Sequence, residues 1–362
     1  MVKTLSLGLL LPTLLLAGAG RDADQYVRIE RLSDRVVLAH WIGPDRLCHL
    51  VGIQSQKGLV LIDTEMSPRT TTPIKERIDR EFGRTDWAYV INTHGHHAGG
   101  NGAFRDVPVV AHENLAAEIQ WRIDVQTDPQ RKRQAIDEAA QIVTTLRDNL
   151  RQVGGNRAHA RLMHGEIRFW ELYVEDLEEG YEVLRPTLTF ADRHTLNLGD
   201  VTLELIFFGK GHSDSDTLVY MPQEGLLFTG AIAYQRGQLP EISDESQIED
   251  VRRSIAVLDE FLDPSVAVRR VLPSHSRPLQ RKDLVPIRDY YQKMLAGVRA
   301  AQREGLTIEQ AAERLAQRKV FRAFLEPPPG HWLYGLHDRN LRNLWRICQQ
   351  ESRPAGAMQT KN

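Results

Sequence analysis

A short apolar segment that runs straight into a histidine cluster places the strongest constraint on how this chain folds. Residues 86–94, DWAYVINTH, form a nearly continuous apolar run, the pattern of a β-strand buried on both faces. Such a strand needs protein layers on either side. The surrounding segments follow the order strand, helix, strand, loop, helix, strand, so the sequence predicts a layered α/β unit.

The neighbouring segments supply the other elements of this unit. Residues 26–63 contain three strand patterns separated by Pro, Asp and Gly turns. They are followed by a predicted helix that begins near Pro73 and ends at Gly83. Strand patterns return after Pro186 and end with VRRVLPSHS, after a further predicted helix.

Two regions differ from this alternation. Residues 115–181 begin with a polar, amphipathic helical stretch and continue as a mixed, less regular segment, which predicts a helical insertion beside the α/β core. Residues 283–350 are predicted to be mainly helical, and 351–362 form a tail. We therefore expect one α/β domain over residues 26–282, interrupted by the insertion.

The N-terminus has the pattern of a secretory signal peptide over residues 1–19. Lys3 precedes an apolar run, and Ala17-Gly18-Ala19 fits a cleavage site. The apolar run is short for a bilayer span, which needs about 20 apolar residues. We expect a cleaved signal and a periplasmic or secreted protein; an uncleaved anchor or a buried N-terminal helix are the alternatives. No later segment resembles a membrane span.

Charge and cysteine content exclude several classes of protein. The formal net charge is -2 and the pI is about 6.7, so no basic surplus indicates nucleic-acid binding. The two cysteines, Cys48 and Cys348, are too few for a zinc site made of thiolates. They allow either a disulfide or two buried thiols.

Histidines follow three separate strand patterns. His94 and His96 lie two apart on an extended segment, so their rings point to the same side. His212 in GKGHSDSD and His275 in LPSHS each follow another strand. Strand ends meet at one rim of a sheet, where loops build binding sites. Two imidazoles and a third from elsewhere in the chain give the three-nitrogen site with an open position that catalytic zinc needs.

These segments, taken in order, resemble the metallo-β-lactamase superfamily from about residue 35 to 278. GLVLIDT, ending in Asp63, is similar to a family strand that ends in an acid. NTHGHHAGGN, GHSDSD, LFTGA and LPSHS resemble its T-H-x-H-x-D-H-x-G-G-N, G-H-[ST]-x-x-D, F-x-G-D and P-x-H segments. The resemblance implies a four-layer αββα sandwich, here with a helical insertion and a helical C-terminal region, and a metal site on one edge of the sheets.

The sequence departs from the family pattern at both acids that serve the second metal. The histidine motif is two residues shorter and lacks its Asp, and Ala231 occupies the position of the Asp that bridges two metals. The simplest alignment keeps His94 and His96 and resumes at His97. In a second alignment His96 takes the place of the Asp. The pattern gives Asp216 a structural role near His212.

The resemblance then implies a role for each histidine. His94, His96 and His212 form the first metal position, whereas His97 and His275 remain from the second. Without a carboxylate the second position lacks charge neutralisation, so we expect one ion, and zinc suits an all-imidazole site.

Three functions remain open. The first is a zinc hydrolase in which metal-bound water attacks an ester, lactone, thioester or amide of a small molecule. His97 or His275 acts there as general base. The second is a non-catalytic binding protein with a degraded metal site. The third is a hydrolase that recruits a second metal through His96, His97 and His275. The sequence leaves the oligomeric state open.

Two aromatic segments are further candidates. FWELY, with Phe169, Trp170 and Tyr173, lines a substrate groove or, at its helical spacing, serves packing. GHWLYGLHDRN, residues 330–340, is a candidate cap over the active edge.

Overall fold

The computed structural model of the protein describes residues 23–44, 48–233, 240–322 and 335–351. The expected signal peptide at 1–19 and most of the tail at 351–362 lie outside these residues. So does the first part of the candidate cap, up to residue 334. Within the described ranges, no helix combines the length and the apolar character that crossing a bilayer requires.

The first sheet has seven strands in the order β1 to β7. The first four pair antiparallel, whereas β4 to β7 pair parallel. The strands are β1 Val27–Arg31, β2 Val36–Trp41, β3 Leu50–Ser55, β4 Gly58–Ile62, β5 Trp87–Asn92, β6 Val109–His112 and β7 Leu188–Phe190. The parallel half contains β5, the strand expected to be buried on both faces.

The second sheet has five strands in the order β12-β11-β10-β9-β8, and β11 and β12 pair parallel. Its strands are β8 Arg193–Asn197, β9 Thr202–Phe207, β10 Thr217–Met221, β11 Leu226–Gly230 and β12 Arg270–Pro273. The two sheets face one another across a buried apolar core that includes Leu38, Ile62, Leu205 and Phe228.

Helices cover the outer face of each sheet and complete the predicted αββα sandwich. They are α1 Pro68–Phe82, α2 Leu115–Glu118, α3 Gln120–Thr127, α4 Pro129–Gln152, α5 Arg157–Glu179, α6 Ile248–Leu262, α7 Leu284–Arg303, α8 Ile308–Ala316, α9 Lys319–Arg322 and α10 Leu336–Glu351. Helices α1 and α5 share a core with the first sheet, and α6, α7 and α10 share one with the second.

Two helices differ from the sequence-based expectation. Helix α1 begins at Pro68 rather than near Pro73, because Ser67 and Thr70 form a capping box and Pro68 occupies the first turn. It ends at Gly83, as expected, in the left-handed conformation. The second half of the insertion, expected to be irregular, is the continuous helix α5.

The insertion aromatics serve packing. Phe169 is fully buried in the core of the first sheet and makes an edge-to-face contact with Trp41. Tyr173 is buried against helix α4 residues such as Ala139. His337, the described histidine of the candidate cap, lies 3.1 Å from the Tyr290 hydroxyl and packs on Phe321. These contacts belong to the interior of the protein.

The two cysteines are separate buried thiols. Cys48 lies with the core of the first sheet and Cys348 with that of the second. Of the two alternatives left open by the sequence, the structure therefore has the one without a disulfide.

Candidate metal centre

Strand ends from both sheets meet at one edge of the sandwich. Strands β4 and β5 run parallel, so Asp63 and the segment that begins at Thr93 leave the first sheet together. Strand β3 runs antiparallel to β4, with Val51 opposite Ile62, so the residues that precede β3 reach the same edge. Strands β11 and β12 end there for the second sheet.

Backbone hydrogen bonds join the two sheets at this edge. The Thr217 N–H donates to the Thr93 carbonyl over 3.0 Å, and the His49 N–H donates to the Ser274 carbonyl over 2.7 Å. Each bond links a residue of one sheet to a residue of the other. The loops that carry the histidines therefore start from fixed positions.

The shortened histidine motif folds as an extended residue followed by a single turn. His94 has extended backbone angles, and Gly95–His97 form one 3-10 turn. The turn sends the adjacent residues His96 and His97 to different neighbours. His96 lies against His212, and His97 lies against His275.

His94, His96 and His212 bring one ring nitrogen each within 4.8 Å of the others. His96 Nδ1 and His212 Nε2 are 3.0 Å apart. A tetrahedral zinc ion with bonds of about 2.0–2.1 Å sets its nitrogen ligands about 3.3 Å apart. Within the described part of the chain, the buried His94 Nε2 has no hydrogen-bond partner. Such a buried nitrogen beside two converging ring nitrogens fits the ligand set of a cation.

Neighbouring groups fix which nitrogen of His94 and His212 is free. The Thr93 backbone N–H and hydroxyl each donate to Asp63 over 2.7 Å. The hydroxyl oxygen then accepts from His94 Nδ1 at 2.9 Å, which leaves the lone pair on Nε2. Likewise, His212 Nδ1 donates to Glu241 over 2.8 Å and leaves Nε2 free.

Burial lowers the pKa of two histidines of the first cluster, whereas a neighbouring carboxylate raises that of the third. It lowers the pKa of His94 well below the ordinary value, and the adjacent histidines lower it further. Desolvation by the surrounding protein, followed by His212 and Arg122, lowers the pKa of His96 to about 4. Burial also lowers the pKa of His212, but the hydrogen bond and charge of Glu241 outweigh it, and the pKa is raised. Neutral imidazole is the form that binds metal.

The acids around the cluster hold its loops. Burial raises the pKa of Asp63 to about 7, although the hydrogen bonds from Thr93 oppose the shift. Asp216 is buried and accepts the His212 backbone N–H at 2.8 Å and the Ser213 hydroxyl at 2.6 Å. Asp216 thus supports the loop that carries His212, the structural role that the family pattern implies. Ala231 is buried and has no donor atom for a metal.

A second cluster lies beside the first and contains a residue that the sequence did not predict. Cys48, His97 and His275 have one donor atom each within 4.8 Å of the others. The ring centroids of His97 and His94, one from each cluster, are 4.7 Å apart. The structure thus brings together all five predicted histidines, in groups of three and two, and adds a buried thiol to the pair.

Two residues of the insertion form hydrogen bonds with the histidine turn. Glu118 accepts the Gly95 N–H at 2.9 Å and the Ser215 hydroxyl at 2.6 Å. The buried guanidinium of Arg122 donates to the His96 carbonyl over 2.7 Å and to the Gly95 carbonyl over 3.4 Å. Neither residue lies in a recognisable motif, so sequence reasoning missed them, as it missed Glu241.

The glycines after the turn allow a close approach of two backbones. A Cβ on Gly99 would lie 2.0 Å from the Met66 carbonyl oxygen. A Cβ on Gly100 would lie 1.8 Å from the Thr71 hydroxyl oxygen. The Gly-Gly pair of the motif therefore packs the turn directly against the segment that follows β4.

A cavity of about 300 Å³ opens beside the first cluster, next to His96 and His212. Its wall includes Trp121, which is 43% exposed, and four carboxyl side chains. These are Glu118, Asp214, Asp244 and Glu245. The volume is at the lower end of the range for small-molecule sites.

The model of the metallo-beta-lactamase superfamily matches residues 44–275. A search of curated proteins gave no match.

Several solved structures are similar. A metallo-beta-lactamase family protein from Thermus thermophilus is 17% identical, with a TM-score of 0.53, over 89% of this chain and 95% of its own. A metallo-beta-lactamase from Pontibacter korlensis is 18% identical, with a TM-score of 0.48, over 74% of this chain and 99% of its own. The likeness to the Thermus thermophilus protein, at 17% identity, concerns the fold alone.

Proposed function

Because this chain belongs to the metallo-beta-lactamase superfamily, we propose that it is a metal-dependent hydrolase whose first cation is held by His94, His96 and His212. The observation that carries the proposal is the orphaned His94 Nε2, buried where the His96 and His212 nitrogens converge. Zinc fits this donor set, since three neutral imidazoles with an open fourth position suit a catalytic zinc. The sequence-based expectation of one zinc ion applies to this cluster.

Some residues of the chain would bind the cation, and others orient those ligands. Thr93 and Glu241 keep the His94 and His212 lone pairs on Nε2, where a cation can use them. A cation at this position would lower the pKa of a water molecule to about 7 and polarise a substrate carbonyl. His97 and His275 lie beside this cluster, with the His97 ring centroid 4.7 Å from that of His94.

The cavity beside the cluster supports a small-molecule substrate. Its carboxyl groups disfavour a substrate with an anionic group close to the scissile bond, because like charges repel. Trp121 offers an aromatic surface for an apolar or cationic group. Esters, lactones, thioesters and amides without a neighbouring acid therefore fit this cavity.

Metal removal tests the proposal. We expect the protein, purified without chelator and offered zinc, to contain bound zinc and to hydrolyse at least one member of an ester, lactone, thioester and β-lactam panel. Dialysis against a chelator should abolish turnover, and zinc should restore it. Protein that remains metal-free when zinc is offered would contradict the proposal and favour a non-catalytic binding protein.

Thr93→Val tests the positioning of His94. Valine keeps the shape but removes the hydroxyl that links His94 Nδ1 to Asp63, so we expect zinc affinity to fall about 10–100-fold. Competition with a chromophoric chelator measures the affinity of the folded protein. Thr229→Val is the matched control, since the buried Thr229 hydroxyl has no hydrogen-bond partner within the ranges described. Equal affinities in the two variants would refute the role of Thr93.

We also propose that the mature protein works outside the cytoplasm. The support is the signal pattern of residues 1–19, with Ala17-Gly18-Ala19 before the cleavage point. N-terminal sequencing of protein from the native host, after cell fractionation, tests this assignment. An intact Met1 on cytoplasmic protein would contradict it.

A further inference from the structure

The second cluster, formed by Cys48, His97 and His275, has the donor atoms and the spacing of a separate cation site. We propose that it binds a second divalent cation, with the Cys48 thiolate as the anionic ligand in place of both missing carboxylates. The inference rests on the proposed function for the first cation and extends it. It also gives His97 and His275 a specific task beside the first cluster.

The separation of the two imidazole nitrogens matches tetrahedral zinc. His97 Nε2 is 3.2 Å from His275 Nε2 and 3.6 Å from Cys48 Sγ. With Zn–N bonds of about 2.0–2.1 Å and a Zn–S bond of about 2.3 Å, tetrahedral angles require about 3.3 Å and about 3.6 Å. The two imidazole nitrogens can thus share an ion as they stand. The Cys48 sulfur lies closer to His97 Nδ1, at 3.1 Å, than to Nε2, so the thiol must turn about its Cα–Cβ bond to bind the same ion.

The tautomer of His97 suits this task. His97 Nδ1 lies 3.3 Å from the Thr64 carbonyl oxygen, which only accepts hydrogen bonds. The Cys48 sulfur, 3.1 Å from the same nitrogen, is a second acceptor. Nδ1 therefore carries the proton, and the lone pair is on Nε2, which faces His275.

The thiolate supplies the charge that the histidine pair lacks. Cysteine binds metals as the thiolate, and a coordinated thiol loses its proton. One negative ligand with two neutral imidazoles partly neutralises a divalent cation. Sulfur and imidazole together are a donor set that zinc accepts. The reason to expect a single ion, the absence of an anionic ligand, does not apply once Cys48 joins the pair.

Chain topology explains the position of Cys48. It lies two residues before β3, which is antiparallel to β4, so it reaches the edge where Thr64 and His97 lie. His49, the next residue, is bonded through its N–H to Ser274, next to His275. Cys48 thus lies between the end of β5, which is followed by His97, and the end of β12, which is followed by His275.

Burial favours a ligand role for Cys48 over a nucleophile role. Its pairing with His97 resembles a cysteine–histidine dyad, but Cys48 is only 4% exposed. A nucleophilic sulfur must reach its substrate, whereas a ligand sulfur only needs to reach the ion. His275 is exposed, which leaves an entry route to the cluster.

Cobalt substitution tests the site without measuring activity. We load metal-free full-length protein with Co²⁺, measure bound cobalt, and record the thiolate-to-cobalt charge-transfer absorption in the near ultraviolet. We expect about two equivalents and a charge-transfer band in the unaltered chain, because each cluster holds one ion. Cys48→Ser should lose the band and about one equivalent.

Two further variants make the result specific. His275→Ala alters an exposed residue, so it should fold, and it should lose the same equivalent as Cys48→Ser. Cys348→Ser alters the other buried thiol, in a different core, and should keep both equivalents and the band. A single equivalent without the charge-transfer band in the unaltered chain, or a band that persists in Cys48→Ser, overturns the second site.

Failure of the second site is distinguishable from failure of the proposed function. One equivalent that His94→Ala removes and Cys48→Ser leaves would overturn this inference and retain the first cation. One equivalent with the charge-transfer band, lost in Cys48→Ser and kept in His94→Ala, would support the second cluster and refute the first.

Discussion

Replacement of His94 by alanine is expected to abolish binding of the first cation and hydrolysis together. The substitution removes a buried ring nitrogen that has no partner within the ranges described and the ligand that Thr93 and Asp63 orient. Loss of an outer hydrogen bond to a metal ligand costs about 10–100-fold in affinity, so loss of the ligand itself should cost more than about 100-fold. Zinc content after gel filtration and turnover of the best panel substrate measure both effects.

His164→Ala is the matched control for this variant. His164 is an exposed histidine on helix α5, so its replacement should leave zinc content and turnover unchanged. Circular dichroism of both variants separates lost ligation from lost folding. Full zinc occupancy and full turnover in His94→Ala would show that the first cluster is not the catalytic centre.

Replacement of Gly99 by alanine is expected to destabilise the protein by about 3 kcal/mol, the upper end of the usual range for overpacked interiors. The added Cβ would lie 2.0 Å from the Met66 carbonyl oxygen and 2.6 Å from its carbon, both backbone atoms. Relief requires the two chain segments to separate. The Met66 carbonyl also accepts from Arg122 and from the Tyr181 hydroxyl, so the shift disturbs these bonds too.

The shift in the denaturation midpoint measures this effect. Gly155→Ala provides the control, because a Cβ there meets nothing within 4 Å and the change should stay within about 0.5 kcal/mol. We also expect Gly99→Ala to bind zinc more weakly when folded, since His96 and His97 lie on the displaced turn. A midpoint equal to that of Gly155→Ala would mean that the close approach contributes nothing.

The sequence predicted a layered α/β unit because its strands carry local signals, and the four-layer sandwich followed from the resemblance of the motifs to the family. The predicted strands and turns coincide with elements of the structure. The signals were apolar runs of strand length, glycine and proline turns, and histidines at strand ends. Helix α5 was not predicted as one continuous helix because its sequence is mixed in character, and it also contains Gly165. That glycine is needed for contact, since a Cβ there would lie 2.4 Å from the Ile42 carbonyl oxygen. Tertiary packing outweighs the low helix propensity of glycine.

The candidate site was predicted only in part, for a different physical reason. Five histidines could be selected because each follows a strand within a recognisable motif. Cys48 has no such motif, and it reaches His97 only through the antiparallel pairing of β3 with β4. Glu241 and Arg122 act across long sequence separations on one ring and one turn. Such partners follow from topology and carry no local sequence pattern.

The hydrogen bonds that join Glu118 and Arg122 to the histidine turn have a thermodynamic consequence. The docked insertion and the histidine turn form one cooperative unit, because the same hydrogen bonds fix the position of the insertion and the conformation of the turn. A bound cation increases the equilibrium constant for docking of the insertion. By thermodynamic linkage, docking of the insertion increases the affinity for the cation by the same factor. A molecule that binds the outer surface of these helices more tightly when the insertion is docked then raises the cation affinity of the cluster, and one with equal affinity for both states leaves it unchanged.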